Sequence, residues 1–327
     1  MNEATVKNNL KIIFMGTPEF AVASLEILLK NNYDIVAVIT SPDKPAGRGQ
    51  QVQQSAVKKY AHENNLKVLQ PEKLKDEKFI GALKQLNADL QIVVAFRMLP
   101  EVIWKMPGLG TFNLHASLLP QYRGAAPINR AVINGETETG VTTFFLQQEI
   151  DTGKILFREK VKINENETAG ELHDQLMAVG ASLVLKTVQA IEAGNYTESE
   201  QSQFVSEKEI LKDAPKIFKE DCRIDWNQNI KSIYNLILGL SPYPSARTEI
   251  VSPDGKFFIL KIYKARFEIS NHTYPVLTVL SDNKNYFKIA LSEGFIGITE
   301  LQLAGKKRML TEEFLKGFKI NDGWKVR

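Results

Sequence analysis

A single cysteine, Cys222, stands among 327 residues, so the chain can close no disulfide on itself and offers no multi-cysteine zinc site. Histidine is also scarce, with four, and no His/Cys/Asp/Glu cluster has the spacing of metal ligands. No apolar run approaches the length that spans a bilayer, and Leu10 to Phe14 is too short for the core of a secretory signal. The expectations are a reducing, cytoplasmic setting, no metal and no membrane partner. Two nucleotide signatures are missing as well: G-x-G-x-x-G and the phosphate-loop Gly-Lys-Ser/Thr. Gly16 does follow an apolar run, but Pro18 removes a backbone N–H that a phosphate would use. Neither charge sign dominates, with a net charge of +3. Residues 201–327 carry 20 Lys+Arg against 15 Asp+Glu, a mildly basic half that permits a polyanionic partner without requiring one.

What is present is an alternation of strand and helix signals. Leu10–Gly16, Asp34–Thr40, Lys67–Gln70, Leu90–Phe96 and Gly110–Leu114 read as strands, several of them apolar throughout. Phe20–Leu29, Ser55–Asn65 and Phe79–Leu86 between them read as helices, Thr17 being a candidate cap for the first. Two prolines and two glycines mark 41–50 as a loop. Further on, Pro127–Ile133 reads as a helix, and Val141–Gln147 and Ile155–Ile163 as strands. A long helix follows over Thr168–Ala193, ended by Gly194. The pattern predicts an α/β first domain with a mostly parallel sheet over 1–195 and a linker over 196–218. Short strands separated by turns then predict a small β-barrel over 219–327.

The densest chemistry lies in Asn113-Leu114-His115-Ala116-Ser117-Leu118-Leu119-Pro120, with Asp151 downstream. Alternate strand residues share a face, so Asn113 and His115 point together at the end of the Gly110–Leu114 strand. An amide donor beside an imidazole, at the carboxyl end of an α/β strand, suits a carbonyl that gains negative charge during reaction. Taken singly, His115 reads as a core histidine and Asp151 as a turn cap; together the three point to a site. His62, His173 and His272 read as surface residues. Arg123 reads equally as an anion contact or an exposed loop arginine, Lys44 and Arg48 by default as solvated charges of a surface loop, and Lys306-Lys307-Arg308 as a basic turn after Gly305 able to contact phosphate.

Several motifs then resemble one family. FMGTPEFAV at 14–22, SPDKPAGRG at 41–49, NLHASLLPQYRGAAPIN at 113–129, TGVT at 139–142 and DTG at 151–153 are similar to the methionyl-tRNA formyltransferase family. IDW at 224–226 and LQLAGKKRM at 301–309 resemble its C-terminal part, so the likeness runs in order over essentially the whole chain. The Asn-x-His-x-Ser-Leu-Leu-Pro motif is shared by folate-dependent formyltransferases generally. The Pro-Ala-Gly-Arg-Gly loop and the Ala-Gly-Lys-Lys turn narrow the resemblance to this family.

The resemblance implies a Rossmann-like formyltransferase domain followed by a smaller OB-like barrel that binds tRNA. It implies transfer of a formyl group from 10-formyltetrahydrofolate to the amino group of initiator methionyl-tRNA, by a monomeric enzyme of translation initiation that uses no metal. Asn113, His115 and Asp151 fall on the family's catalytic positions, and Ser117, Leu118, Leu119 and Pro120 on its folate-contacting stretch. Arg48 falls in the loop that approaches the acceptor end of the tRNA; Lys44, Lys306 and Lys307 are further expected tRNA contacts. Phe96-Arg97-Met98-Leu99 departs from the pattern, placing an arginine beside the expected pterin pocket where many members have a small residue. Three other functions stand against this one. They are a formyltransferase acting on a small amine such as a sugar nucleotide, a 10-formyltetrahydrofolate hydrolase, and a non-catalytic RNA-binding protein.

Overall fold

The computed structural model describes residues 8–46, 51–206 and 209–327. It forms two compact units whose segments interleave along the chain. The first takes the chain up to Gly124, then Thr139–Val161 and His173–Asp213; the second takes Ala125–Glu138, Lys162–Leu172 and Ala214–Arg327.

Seven strands and four helices organise the first part. In chain order they are β1 (Asn8–Gly16), α1 (Glu19–Lys30), β2 (Tyr33–Ile39), α2 (Ala56–Glu63), β3 (Val68–Leu69) and α3 (Glu77–Gln85). There follow β4 (Leu90–Val94), β5 (Thr111–His115), β6 (Glu138–Phe145), β7 (Ile155–Lys162) and α4 (Ala169–Glu192). The strands lie in the order β7-β6-β5-β4-β1-β2-β3. The five from β5 to β3 pair in parallel, and β6 runs antiparallel to β5. The chain thus steps outward from β1 to β3, then returns to lay β4 on the other flank of β1. The carboxyl ends of β1 and β4 bracket the switch point at which open α/β sheets bind their ligands.

Burial on both faces explains why these strands are apolar throughout: every residue of β4 is buried, and Ile12, Ile13, Phe14 and Met15 of β1 are fully enclosed. On one face Ile13, Met15, Ala37, Ile39 and Val93 pack with Leu83 and Ile103. Helix α1 buries Phe20, Ala21, Ser24, Leu25 and Leu28, one stripe at helical spacing. Gly16 is required where α1 meets the sheet, since a Cβ there would lie 2.6 Å from that of Ala21. Ser55 and Asp76 cap α2 and α3, accepting the N–H groups of Lys58 and Phe79 at 3.0 Å each. Thr17 does not cap α1: Pro18 holds the cap position without a side-chain bond, and the Thr17 hydroxyl meets Ser41 Oγ at 3.1 Å. Helix α4 stops as expected, with Gly194 at φ 63° and the N–H of Asn195 reaching Ala190 O at 2.9 Å.

Two stretches expected to be irregular carry backbone pairing. Lys44–Ala46 forms an antiparallel ladder with Gln51–Gln53 inside the Pro/Gly segment. The linker expected over 196–218 begins as part of the first unit. Ser199 exchanges both backbone hydrogen bonds with Ile155 (2.8 and 2.9 Å), and a 3-10 turn follows at Gln201–Phe204. Its polar composition misleads because backbone pairing and buried polar side chains such as Gln201 hold it down.

The second unit contains a helix at Pro127–Ile133, α5 (Ile230–Gly239) and strands β8 (Ala246–Val251), β9 (Phe257–Ile269), β10 (Val279–Ser281), β11 (Phe287–Leu291), β12 (Gly294–Leu303) and β13 (Lys325–Val326). Their order is β10-β11-β12-β9-β8-β13, with antiparallel pairing throughout. Hydrogen bonds from Val279 N to Trp324 O (2.9 Å) and from Val326 N to Leu277 O (3.0 Å) join the two edges, so the sheet closes as a small barrel. Ile262, Phe287, Ile289, Ile296 and Leu301 fill it. Gly239 is needed where α5 meets the 127–133 helix, since a Cβ there would lie 2.4 Å from Ile133 Cγ1. His272 is not the surface residue expected. Its Nε2 faces Leu291 O at 2.6 Å, and its ring lies on Phe295 with centroids 4.5 Å apart. Among the described residues, no helix is long and apolar enough to cross a membrane, and no group of three His, Cys, Asp or Glu could hold a metal ion.

Candidate active site

Strand β5 ends on His115, one strand away from β4 and the switch point. Its register sets Asn113 opposite Val93 of β4 and Phe144 of β6. The chain then folds back on itself. Ser117 Oγ donates to Gln121 O at 2.6 Å, and Gln121 N donates to Leu118 O at 3.1 Å. Thr142 on β6 fastens the turn, its hydroxyl donating to Ser117 O at 2.7 Å and accepting Leu119 N–H at 3.1 Å. The return brings Tyr122, at φ 60°, beside the strand end, and its carbonyl accepts a hydrogen bond from His115 Nε2 at 2.8 Å.

That bond decides which ring atom is open to exchange a proton. A carbonyl only accepts, so Nε2 carries a proton whatever the charge of the ring, and Nδ1 is the atom that gains or loses one. Nδ1 faces Asp151 Oδ2 across 3.9 Å, with the two side chains 7% and 14% exposed. The same Oδ2 accepts the Gly124 N–H at 3.0 Å. Asp151 sits at φ 54°, a left-handed conformation uncommon for a residue with a Cβ. The turn after it requires Gly153, where a Cβ would lie 1.7 Å from Phe145 O. The separation of 3.9 Å is longer than a hydrogen bond, so imidazole and carboxylate both keep capacity for a third group. Asn113 is half-buried, and its amide has no hydrogen-bond partner among the described residues. An amide donor left open on the same strand face as the imidazole suits an oxygen that gains negative charge.

The other expected residues divide by exposure. Ser117 and Leu119 are fully enclosed and shape the turn; Pro120 is buried and Leu118 half-buried. Lys44 is exposed in the first unit; Lys306 and Lys307 are exposed on a turn of the second. Arg308 is engaged, with a bidentate pair to Glu300 (2.6 and 2.8 Å). Arg48 lies outside the described residues. Arg97 ties two loops at the carboxyl edge of the sheet, donating to Pro71 O (2.7 Å) and Glu72 O (3.0 Å).

The sequence reading missed three contributors. Tyr122 and Gly124 act through backbone groups, which no side-chain pattern reveals. Gln201, only 4% exposed, donates to Asp151 O at 2.8 Å and to Gly153 O at 2.9 Å from a stretch read as linker.

Known proteins share this architecture. The formyl transferase model matches residues 10–188, and the model of the formyl transferase C-terminal domain matches 216–319. An N-formyltransferase from Helicobacter canadensis, solved with folinic acid and dTDP-3-aminofucose, has the same fold. It superposes with a TM-score of 0.60 at 22% identity, over 92% of this chain and 100% of that one. The fold is that of the formyl transferases. Within that class, methionyl-tRNA formyltransferase of Bacteroides thetaiotaomicron is 56% identical over 98% of this chain and 99% of its own. Its counterpart in Parabacteroides distasonis is 57% identical over 96% of this chain and 97% of its own. The chain belongs to the methionyl-tRNA formyltransferase family.

Proposed function

We propose that the protein moves the formyl group of 10-formyltetrahydrofolate to the free amino group of methionyl-initiator tRNA, in the cytoplasm, at the start of translation. The observation that carries this reading is the convergence of His115 Nδ1 on Asp151 Oδ2 at 3.9 Å, two strand positions from the unpartnered amide of Asn113. It is joined to full-length identity above one half with proteins of that name.

The folate donor supplies an amide-like carbonyl carbon. Attack by an amine puts negative charge on its oxygen and requires a proton for the departing nitrogen. Asn113 donates its side-chain N–H to that oxygen, an interaction worth most when the charge is fully developed. His115 holds its exchangeable proton at Nδ1, opposite the carboxylate of Asp151, and delivers it to the oxygen or to the leaving nitrogen. Asp151 takes up the proton released by the attacking amine, directly or through a water. Tyr122 O and Gly124 N–H fix the ring and the carboxylate respectively. No covalent intermediate on the protein is needed. Leu118 and the backbone of the 117–120 turn border the donor. Lys44, Arg48, Lys306 and Lys307 meet the tRNA backbone.

The test is an acceptor assay. The full chain is supplied with 10-formyltetrahydrofolate and charged initiator tRNA, charged elongator tRNA, an amino-sugar nucleotide, or water alone. Formylation of the charged initiator tRNA, far above the other three, is expected; preference for any other arm overturns the reading.

A further inference from the structure

The interval between the two family matches, 189–215, contains one side chain whose hydrogen-bonding capacity is completely used at the site. Gln201 has two amide protons, and they go to Asp151 O (2.8 Å) and Gly153 O (2.9 Å), the carbonyls on either side of Thr152. Its Oε1 accepts two further bonds from Arg123, from Nε at 3.1 Å and Nη2 at 2.6 Å. Arg123 stands between Tyr122, whose carbonyl holds the ring of His115, and Gly124, whose N–H holds the carboxylate of Asp151. One buried amide therefore ties the strip that orients the imidazole to the turn that carries the carboxylate.

Both tied segments are ones the backbone would not hold unaided. Tyr122 and Asp151 have φ of 60° and 54°, and such left-handed residues persist where their surroundings over-determine them. Gln201 is itself anchored by the two-way bridge between Ser199 and Ile155 and by the 3-10 turn that it opens. Every donor and acceptor of the glutamine is directed at protein, so it has nothing left to offer a substrate.

We propose that Gln201, through Arg123 and the 151–153 turn, is a positioning residue for formyl transfer: it sets the Asp151 carboxylate against His115 Nδ1 and thereby governs turnover rather than substrate binding. The inference rests on the reading of Asp151 as part of the active site. A displacement of about 1 Å in such a group can cost up to a hundredfold in rate. Gln201→Glu retains the oxygen that faces Arg123 and removes both protons given to the turn. Gln201→Met keeps the volume and removes all four bonds.

The experiment measures kcat and KM for both substrates in the full chain. The variants are Gln201→Glu, Gln201→Met, Asp151→Asn and the double variant Gln201→Glu/Asp151→Asn, each normalised to folded protein by its melting transition. The expected result is a fall in kcat of about 10- to 100-fold for either Gln201 substitution. Both KM values should stay within about twofold, and the Gln201→Glu effect should vanish in the Asp151→Asn background. A residue that merely supports the fold would lower the melting temperature with kcat per folded molecule unchanged, and that outcome overturns the proposal. So does a Gln201→Glu effect that is undiminished when Asp151 is already Asn. Should Gln201→Met not fold, Gln201→Glu alone decides. If Asp151→Asn turns over normally, the reading of Asp151 fails and this inference with it. If Asp151→Asn is slow while both Gln201 variants match the parent, only the inference fails.

Discussion

The carboxylate oxygen of Asp151 that accepts the Gly124 N–H at 3.0 Å is the one that faces His115 Nδ1 at 3.9 Å. A single oxygen is thus held by the backbone and turned toward the ring, leaving Asp151 Oδ1 and the gap beside the ring open to a third group. Transfer of a proton at Nδ1 is compatible with this geometry; transfer at Nε2 is not, because that atom is occupied by Tyr122 O at 2.8 Å.

In the proposed mechanism Asn113 and His115 act on the transition state and hardly on the tRNA. Loss of one oxyanion donor costs on the order of 10²–10³ in kcat. Asn113→Ala and His115→Ala should each lower kcat by about that factor, with tRNA affinity, measured by filter binding, within about twofold. Near-normal turnover in both variants would leave the site without its proposed chemistry.

Thr142 offers a test of the turn independent of catalysis. Its hydroxyl is fully buried, donates to Ser117 O at 2.7 Å and accepts from Leu119 N at 3.1 Å. Thr142→Val is nearly isosteric but leaves a buried carbonyl and a buried N–H unsatisfied, a cost of about 1–3 kcal/mol for each group abandoned. A lowered melting temperature is expected for Thr142→Val, and a value close to the parent for Thr142→Ser, which keeps the hydroxyl. Equal melting of Val and Ser variants would mean that packing, and not the hydrogen bonds, holds the turn.

Asn113, His115 and Asp151, proposed to carry the chemistry, were legible as candidates because their polar side chains stand out from the sequence around them and two of them share a strand face by simple alternation. The parallel sheet was legible for a similar reason: strands buried on both faces, such as Leu90–Val94, are written as unbroken apolar runs. Gln201 was not, since a buried glutamine looks like any polar residue in a stretch of polar residues. The backbone bridge from Ser199 to Ile155 and the bonds of Gln201 to Asp151 and Gly153 show that the stretch is docked. The roles of Tyr122 and Gly124 rest on a carbonyl and an N–H, groups common to almost every residue. His272 misled in the opposite direction, its carbonyl partner at Leu291 lying 19 positions away.

Arg48 belongs to the loop proposed to meet the tRNA, and its contribution should be electrostatic. Each phosphate contact adds to the slope of log affinity against log salt, by about −0.7 to −0.9. Arg48→Ala should raise KM for the tRNA while flattening its salt dependence, leaving KM for the folate donor unchanged. Parent-like tRNA kinetics from low to high salt would remove Arg48 from the interface.

Tyr33 provides a pH test of how the first unit is held together. Its hydroxyl donates to Glu192 Oε2, near the end of α4, at 3.0 Å. Burial, reinforced by that hydrogen bond and by the negative charge of Glu192, pushes the phenol up to about 12. In the unfolded chain a tyrosine titrates near 10. Between these two values the unfolded chain has released the proton while the folded chain retains it, so rising pH favours unfolding. The stabilisation is therefore fully present below about pH 10 and is lost as pH climbs through about 12. Tyr33→Phe removes the titrating group and the bond to Glu192 together. The melting temperature of the parent should exceed that of Tyr33→Phe by a constant margin at neutral pH, and the margin should shrink above about pH 10. A margin that stays level through this range would mean that the phenol is not held by Glu192 in the folded protein.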